Sequence, residues 1–230
     1  NLYALGRVLR LRPVSALYLR STFDLNLGPQ LNWPLIEREF TGPIAEEGYD
    51  FDTVFEALEP IEARFGVALI DPIRQAIAAQ DAEALFEATT QAASLATRHQ
   101  IAMAQARLTQ PGAALNDVLA AQQLYRAFGQ NFISHADPAA FRELGLAWLD
   151  MGNSVGNAGI AGIGARAADE ALFESAKQTI EAYLTANYEN GGYVQDTPLG
   201  QRFAPLPLTV AGATLPLWIP PGTNLNDQDP

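Results

Sequence analysis

The chain has no cysteine, two methionines and two histidines among its 230 residues. Without cysteine there are no disulfides, thiolate metal sites, cysteine nucleophiles or covalent haem attachment. Basic residues are also sparse: 14 Lys and Arg stand against 26 Asp and Glu, a net charge of −12. Nucleic-acid affinity rests on neutralising phosphates, so nucleic acid is not an expected partner. Long apolar runs are missing too. Charges interrupt each one before the roughly 20 residues a spanning helix needs, and no transmembrane segment is expected.

What is present is enough apolar surface, 48% of residues against 17% charged, to offset the entropy cost of folding. The length suits one main domain with an appendage. Because the chain starts at Asn1 rather than at methionine, it reads as a mature exported protein of the bacterial cell envelope, expected in the periplasm.

Helical signals dominate. Leu2, Leu5, Val8 and Leu9 recur at helical spacing, and Pro13 restarts a second short helix, so two helices are expected before Thr22. Arg7, Arg10, Arg12 and Arg20 make this end basic, whereas from Glu37 to Glu62 Arg38 is the only base among the acids. Asp50, Asp71-Pro72, Asp81 and Asp137-Pro138 read as helix starts, an aspartate capping free amides. Leu85, Ala88, Ala92, Leu95, Ala102 and Ala106 form one face of a helix between Asp81 and Gln110. A turn at Gln110-Pro111-Gly112 then leads to a helix with Val118, Ala121, Tyr125, Phe128 and Phe132 on one stripe. Further helices are expected over Ala139 to Met151 and Asp169 to Tyr188, separated by a glycine-rich break from Gly152 to Gly164.

From Gly191 onward, Pro198, Pro205, Pro207, Pro216, Pro220 and Pro221 forbid a long helix, and Leu208-Thr209-Val210 and Thr214-Leu215 flank Gly212 with room for a short hairpin. The expected fold is therefore all-α: an antiparallel helical bundle over 1–190 and an irregular proline-rich C-terminal arm over 191–230, packed on the bundle. Glu83-Ala-Leu-Phe-Glu87 recurs as Glu170-Ala-Leu-Phe-Glu174, but no fixed repeat period holds across the chain.

Candidate chemistry is thin. Gly152-Asn153-Ser154-Val155-Gly156 matches the nucleophile-elbow pattern of serine hydrolases, yet a helix rather than a strand precedes it, and His99 and His135 both lie before the serine. The glycines that follow lack a P-loop lysine. His99 and His135 extend the interior stripes of two paired helices, but about 18 Å of helix height separates them, too far to share an ion. His99 and Met103 suit a soft metal but are only two ligands. Glu56, Glu59 and Glu62 lack calcium-loop spacing and read as a solvated face. No cofactor is expected, and no nucleophile or base survives its context, so a non-enzymatic protein is the expectation.

The alanine-rich face opposite an aromatic face leaves room between helices, and apolar pockets commonly sit there. The expected function is a carrier that holds a hydrophobic, lipid-like molecule, with Leu95, His99, Met103, Val118, Tyr125, Phe128, Phe132 and Trp148 around it and an envelope transporter component as partner. The alternatives are a helical interaction scaffold that docks a partner protein and, third, a metal carrier using His99 and Met103.

Overall fold

The computed structural model describes residues 33–42, 44–46, 49–51, 53–126, 133–134, 137–159, 163–189, 205–210 and 213–218. The helices expected before Thr22 lie outside these residues, as do Phe128, Phe132 and His135. The fold is all-α. Seven helices are described: α1 (Trp33–Thr41), α2 (Val54–Phe65), α3 (Ile70–Ala79), α4 (Ala82–Ala106), α5 (Pro111–Tyr125), α6 (Pro138–Ser154) and α7 (Glu170–Leu184), the last continuing into a π-helical turn at Thr185–Glu189.

Two antiparallel hairpins are the only sheets among the described residues. The first pairs β1 (Ile44–Glu46) with β2 (Tyr49–Phe51). The second pairs β3 (Pro205–Val210) with β4 (Ala213–Trp218), with Val210 opposite Ala213, where the sequence left room for it. No described helix is long and apolar enough to cross a membrane.

Helix starts follow capping chemistry, but not always at the expected aspartate. Asp81 accepts from the Ala84 amide at 3.0 Å, and Asp137 from Ala140 at 3.1 Å, each satisfying a donor the helix itself leaves open. Asp50 instead lies in β2, and α2 starts from Thr53 in a reciprocal capping box with Glu56. The Thr53 contacts hold the Glu56 carboxyl below its ordinary value, the backbone hydrogen bond first. Asp71 also fails as a cap, because α3 has begun one residue earlier at Ile70. Its free amides are met from outside: Glu62, in the last turn of α2, accepts from Leu69 and Ile70 at 2.5 and 2.8 Å.

The core forms two clusters that share α4. One gathers Ile36, Phe40, Val54, Phe55, Leu58, Ile61, Ile73 and Ile77 from α1, α2 and α3 against Leu85, Ala92 and Leu95. The other gathers Val118, Tyr125, Leu144, Trp148, Met151, Phe173, Ile180 and Tyr188 against Ala93, Ile101 and Ala104. With 25 residues, α4 is long enough to serve both. This explains a departure from the expected stripe: Leu85, Ala88, Ala92 and Leu95 are buried, but beyond them Ile101 and Ala104 turn inward while Ala102 is half-buried and Ala106 exposed. In the middle of α4 the buried Thr89 and Thr97 hydroxyls donate to the Leu85 and Ala93 carbonyls at 2.8 and 2.9 Å, so polar side chains are satisfied inside the core.

Helix α6 runs through Gly152 to Ser154, so the glycine break begins later than its first glycine suggests. The chain then loops back on itself. Asn157 and Arg166 exchange backbone hydrogen bonds at 2.9 Å, and the Asp169 amide donates to the Ser154 carbonyl at 2.7 Å. Gly156 is required at the crossing, because its φ is +78° and a Cβ there would come within 2.5 Å of the Arg166 carbonyl oxygen.

Candidate functional site

Helices α3 and α4 meet at a joint of Gln80 and Asp81, with Gln80 in the left-handed conformation at φ 54°. On either side of that joint a cavity of about 390 Å³ opens to solvent. Its α3 wall is Pro72, Gln75, Ala76 and Ala79, and its α4 wall is Ala84, Glu87, Ala88 and Gln91. Each wall has the spacing i, i+3, i+4, i+7 that places four side chains on one helix face. The two faces look at each other across the gap. Alanines make the floor, of which Ala76 and Ala88 are buried, while two amides, Glu87 and Asp81 make the rim.

Four of the residues lining the groove are alanines, whose side chains are too short to fill the space between the helices. Its chemistry is that of an apolar trough with hydrogen-bonding edges: the glutamines offer donors and acceptors, the carboxylates acceptors only.

Gln91 also reaches away from the groove. Its Nε2 donates at 2.9 Å to the carbonyl oxygen of Glu189, at the end of the π-helical turn. One and two turns further along α4, Ser94 Oγ donates to Glu189 Oε1 at 3.2 Å, and Arg98 Nη1 meets Glu189 Oε2 at 2.5 Å. Thr185 Oγ1 donates to the same oxygen at 3.3 Å. Arg98 in turn lies over the Phe65 ring at 5.1 Å and 3.7 Å from Glu181. Burial raises the Glu181 carboxyl, with the Arg98 and Lys177 charges opposing and those of Glu174 and Glu189 adding. Glu189 is thus bound to α4 through its backbone and both carboxylate oxygens.

Phe128 and Phe132 lie outside the described residues; the other residues expected around an inter-helix cavity are placed elsewhere, and none of them lines this groove. Leu95 is packed in the first core cluster; Val118, Tyr125 and Trp148 are packed in the second. The Tyr125 and Trp148 rings meet at 5.5 Å between centroids, tilted by 36°, and burial pushes the Tyr125 phenol upward. The Trp148 indole N–H has no hydrogen-bond partner among the described residues. His99 and Met103 are half-buried on α4. Burial, then the Arg64 charge, lowers the His99 imidazole, while Asp117 works the other way. Among the described residues no three His, Asp or Glu side chains gather closely enough to hold a metal ion. Ser154 is fully buried, its hydroxyl donating to the Met151 carbonyl at 2.7 Å.

Sequence reasoning missed the groove, although its signal was visible: Ala76 and Ala79, then Ala84 and Ala88, flank a single aspartate cap. Both copies of the recurring Glu-Ala-Leu-Phe-Glu segment lie at the start of a helix behind an aspartate cap, but their burial differs. Leu85 is buried in the first copy, whereas its counterpart Leu172 in the second is only half-buried.

Comparison of the chain with protein-family models, with curated proteins and with solved structures finds no match.

Proposed function

We propose that this protein is a non-catalytic carrier that holds a lipid-like small molecule in the α3–α4 groove. The observation that supports this reading is the pair of facing stripes around about 390 Å³, a volume within the range of small-molecule sites. The alanine floor suits an aliphatic body. Amide donors beside carboxylate acceptors suit a neutral head that both donates and accepts, a hydroxyl above all, while Asp81, Glu87 and a net charge of −12 disfavour an anionic head. In this role the protein carries its cargo within the cell envelope and passes it to a transporter component.

Titration with 1-octanol, followed by the alanine methyl signals in a carbon-13 NMR spectrum, tests the reading. Shifts should be confined to Ala76, Ala79, Ala84 and Ala88, and octanoate at neutral pH should bind at least about fivefold more weakly, since like charges about 4 Å apart cost on the order of 1 kcal/mol even in bulk water. Octanol shifts elsewhere, or none up to its solubility, would sink the carrier. That outcome would favour the scaffold alternative, which has its own support in the exposed Leu115 and Leu119 of α5 and Leu146 and Leu149 of α6.

A further inference from the structure

We infer that the π-helical turn at Thr185–Glu189 is a two-register latch coupled to the α3–α4 groove through Gln91, an inference that rests on the groove being the binding site.

A π-helical turn holds one more residue than an α-helical turn and occurs mostly as a single turn, often at functional sites. Its stability must come from contacts outside the helix. Here Gln91, Ser94 and Arg98, at i, i+3 and i+7 on one face of α4, all grip Glu189. If the turn returned to α-helical winding, Glu189 would rotate by about 100°, one residue's share of a turn at 3.6 residues per turn, and leave that grip. The two registers are thus distinguished by whether Glu189 faces α4.

Gln91 is the one member of the grip that also lines the groove. A carboxamide is planar and swings as a unit. When it turns towards a hydroxyl in the groove, its N–H withdraws from the Glu189 carbonyl, and one of the bonds that hold the π register is lost. Occupancy of the groove and seating of the turn therefore oppose each other, and by linkage each weakens the other by the same factor. A loaded groove loosens the turn; an empty groove clamps it. Glu189 acts on the ligand only through Gln91, as a positioning residue.

The test uses the full chain and 1-octanol as probe, reading the dissociation constant together with amide hydrogen exchange at residues 186–189. Octanol should accelerate exchange there in the wild type. Glu189→Ala should speed exchange without ligand and bind octanol about tenfold more tightly, within the usual range of coupling between sites. Ser94→Ala removes one donor from the same carboxylate, leaves the ion pair in place and should shift both readouts in the same direction by a smaller factor, which keeps the test open if Glu189→Ala does not fold. Octanol binding of equal strength in wild type and variants, with exchange at 186–189 indifferent to octanol, would overturn the latch and leave the carrier standing. Failure of octanol to bind the wild type would overturn both.

Discussion

Towards α5, helix α4 brings Ala93, Ile101 and Ala104 into one cluster with Ala114, Val118, Ala121 and Tyr125. Towards α3 it brings Ala84 and Ala88 opposite Ala76 and Ala79. Both sides are rich in alanine, yet the first is closed core, whereas the second joins the core through Ile73, Ile77 and Leu85 and still leaves an open groove beside them. The difference lies in what accompanies the alanines. On the α5 side, isoleucine, valine and tyrosine stand between the small residues, so large fills small and the backbones close up. Along the groove on the α3 side the companions are Pro72, Gln75, Glu87 and Gln91, whose polar ends belong at the rim, and the groove stays unfilled. Small residues permit close approach but do not by themselves cause it.

The comparison can be broken most strongly by adding volume. Ala93→Leu on the packed side should destabilise by about 1–3 kcal/mol through overpacking, whereas Ala84→Leu in the groove should stay within about 0.5 kcal/mol and still block octanol. Urea denaturation of the two variants checks this, and equal losses would show that the two faces are packed alike. A smaller effect should follow from Glu62→Ala, which strips α3 of the carboxylate that caps its first amides. The expected cost is about 0.5–2 kcal/mol, as for other lost caps, with faster amide exchange at Leu69 and Ile70 locating the damage at the groove's α3 wall rather than in α5.

The smallest effect concerns His99. Its imidazole is held below its ordinary value, so the unfolded chain takes up the proton at higher pH than the folded one. The stabilisation is complete above the unfolded value of about 6.5 and is lost as pH falls through the lower folded value. Replacing His99 with glutamine should flatten stability against pH in that window and leave it unchanged above pH 7.5 or so. A wild type and variant with parallel profiles down to about pH 5 would remove the assigned cause.

Much of the helical architecture was legible because local chemistry specifies it. Asp81 and Asp137 cap the helices they precede, and the first part of the α4 stripe, Leu85 to Leu95, and Val118, Ala121 and Tyr125 of α5 reappear as buried faces. Where the reading slipped, a competing local device was stronger: the Thr53–Glu56 capping box overrode Asp50, and a carboxylate from the preceding helix made a cap at Asp71 unnecessary. The inward turn of Ile101 and Ala104 in place of Ala102 and Ala106 was not legible, since it depends on α4 changing neighbours along its length.

The candidate site divides in the same way. The sequence by itself determined that α3 and α4 are separate helices joined at Asp81, and that each carries alanine on one face, because periodicity and capping act within a few residues. It did not say which alanine face would be filled. That was decided by the tertiary structure, which seats α5 and its large side chains on one side of α4 and, beside the packed Ile73 and Ile77 of α3, leaves a groove unfilled. The grip on Glu189 was beyond sequence reading for the same reason: Gln91, Ser94 and Arg98 lie more than 90 residues from it along the chain, and only folding brings them together.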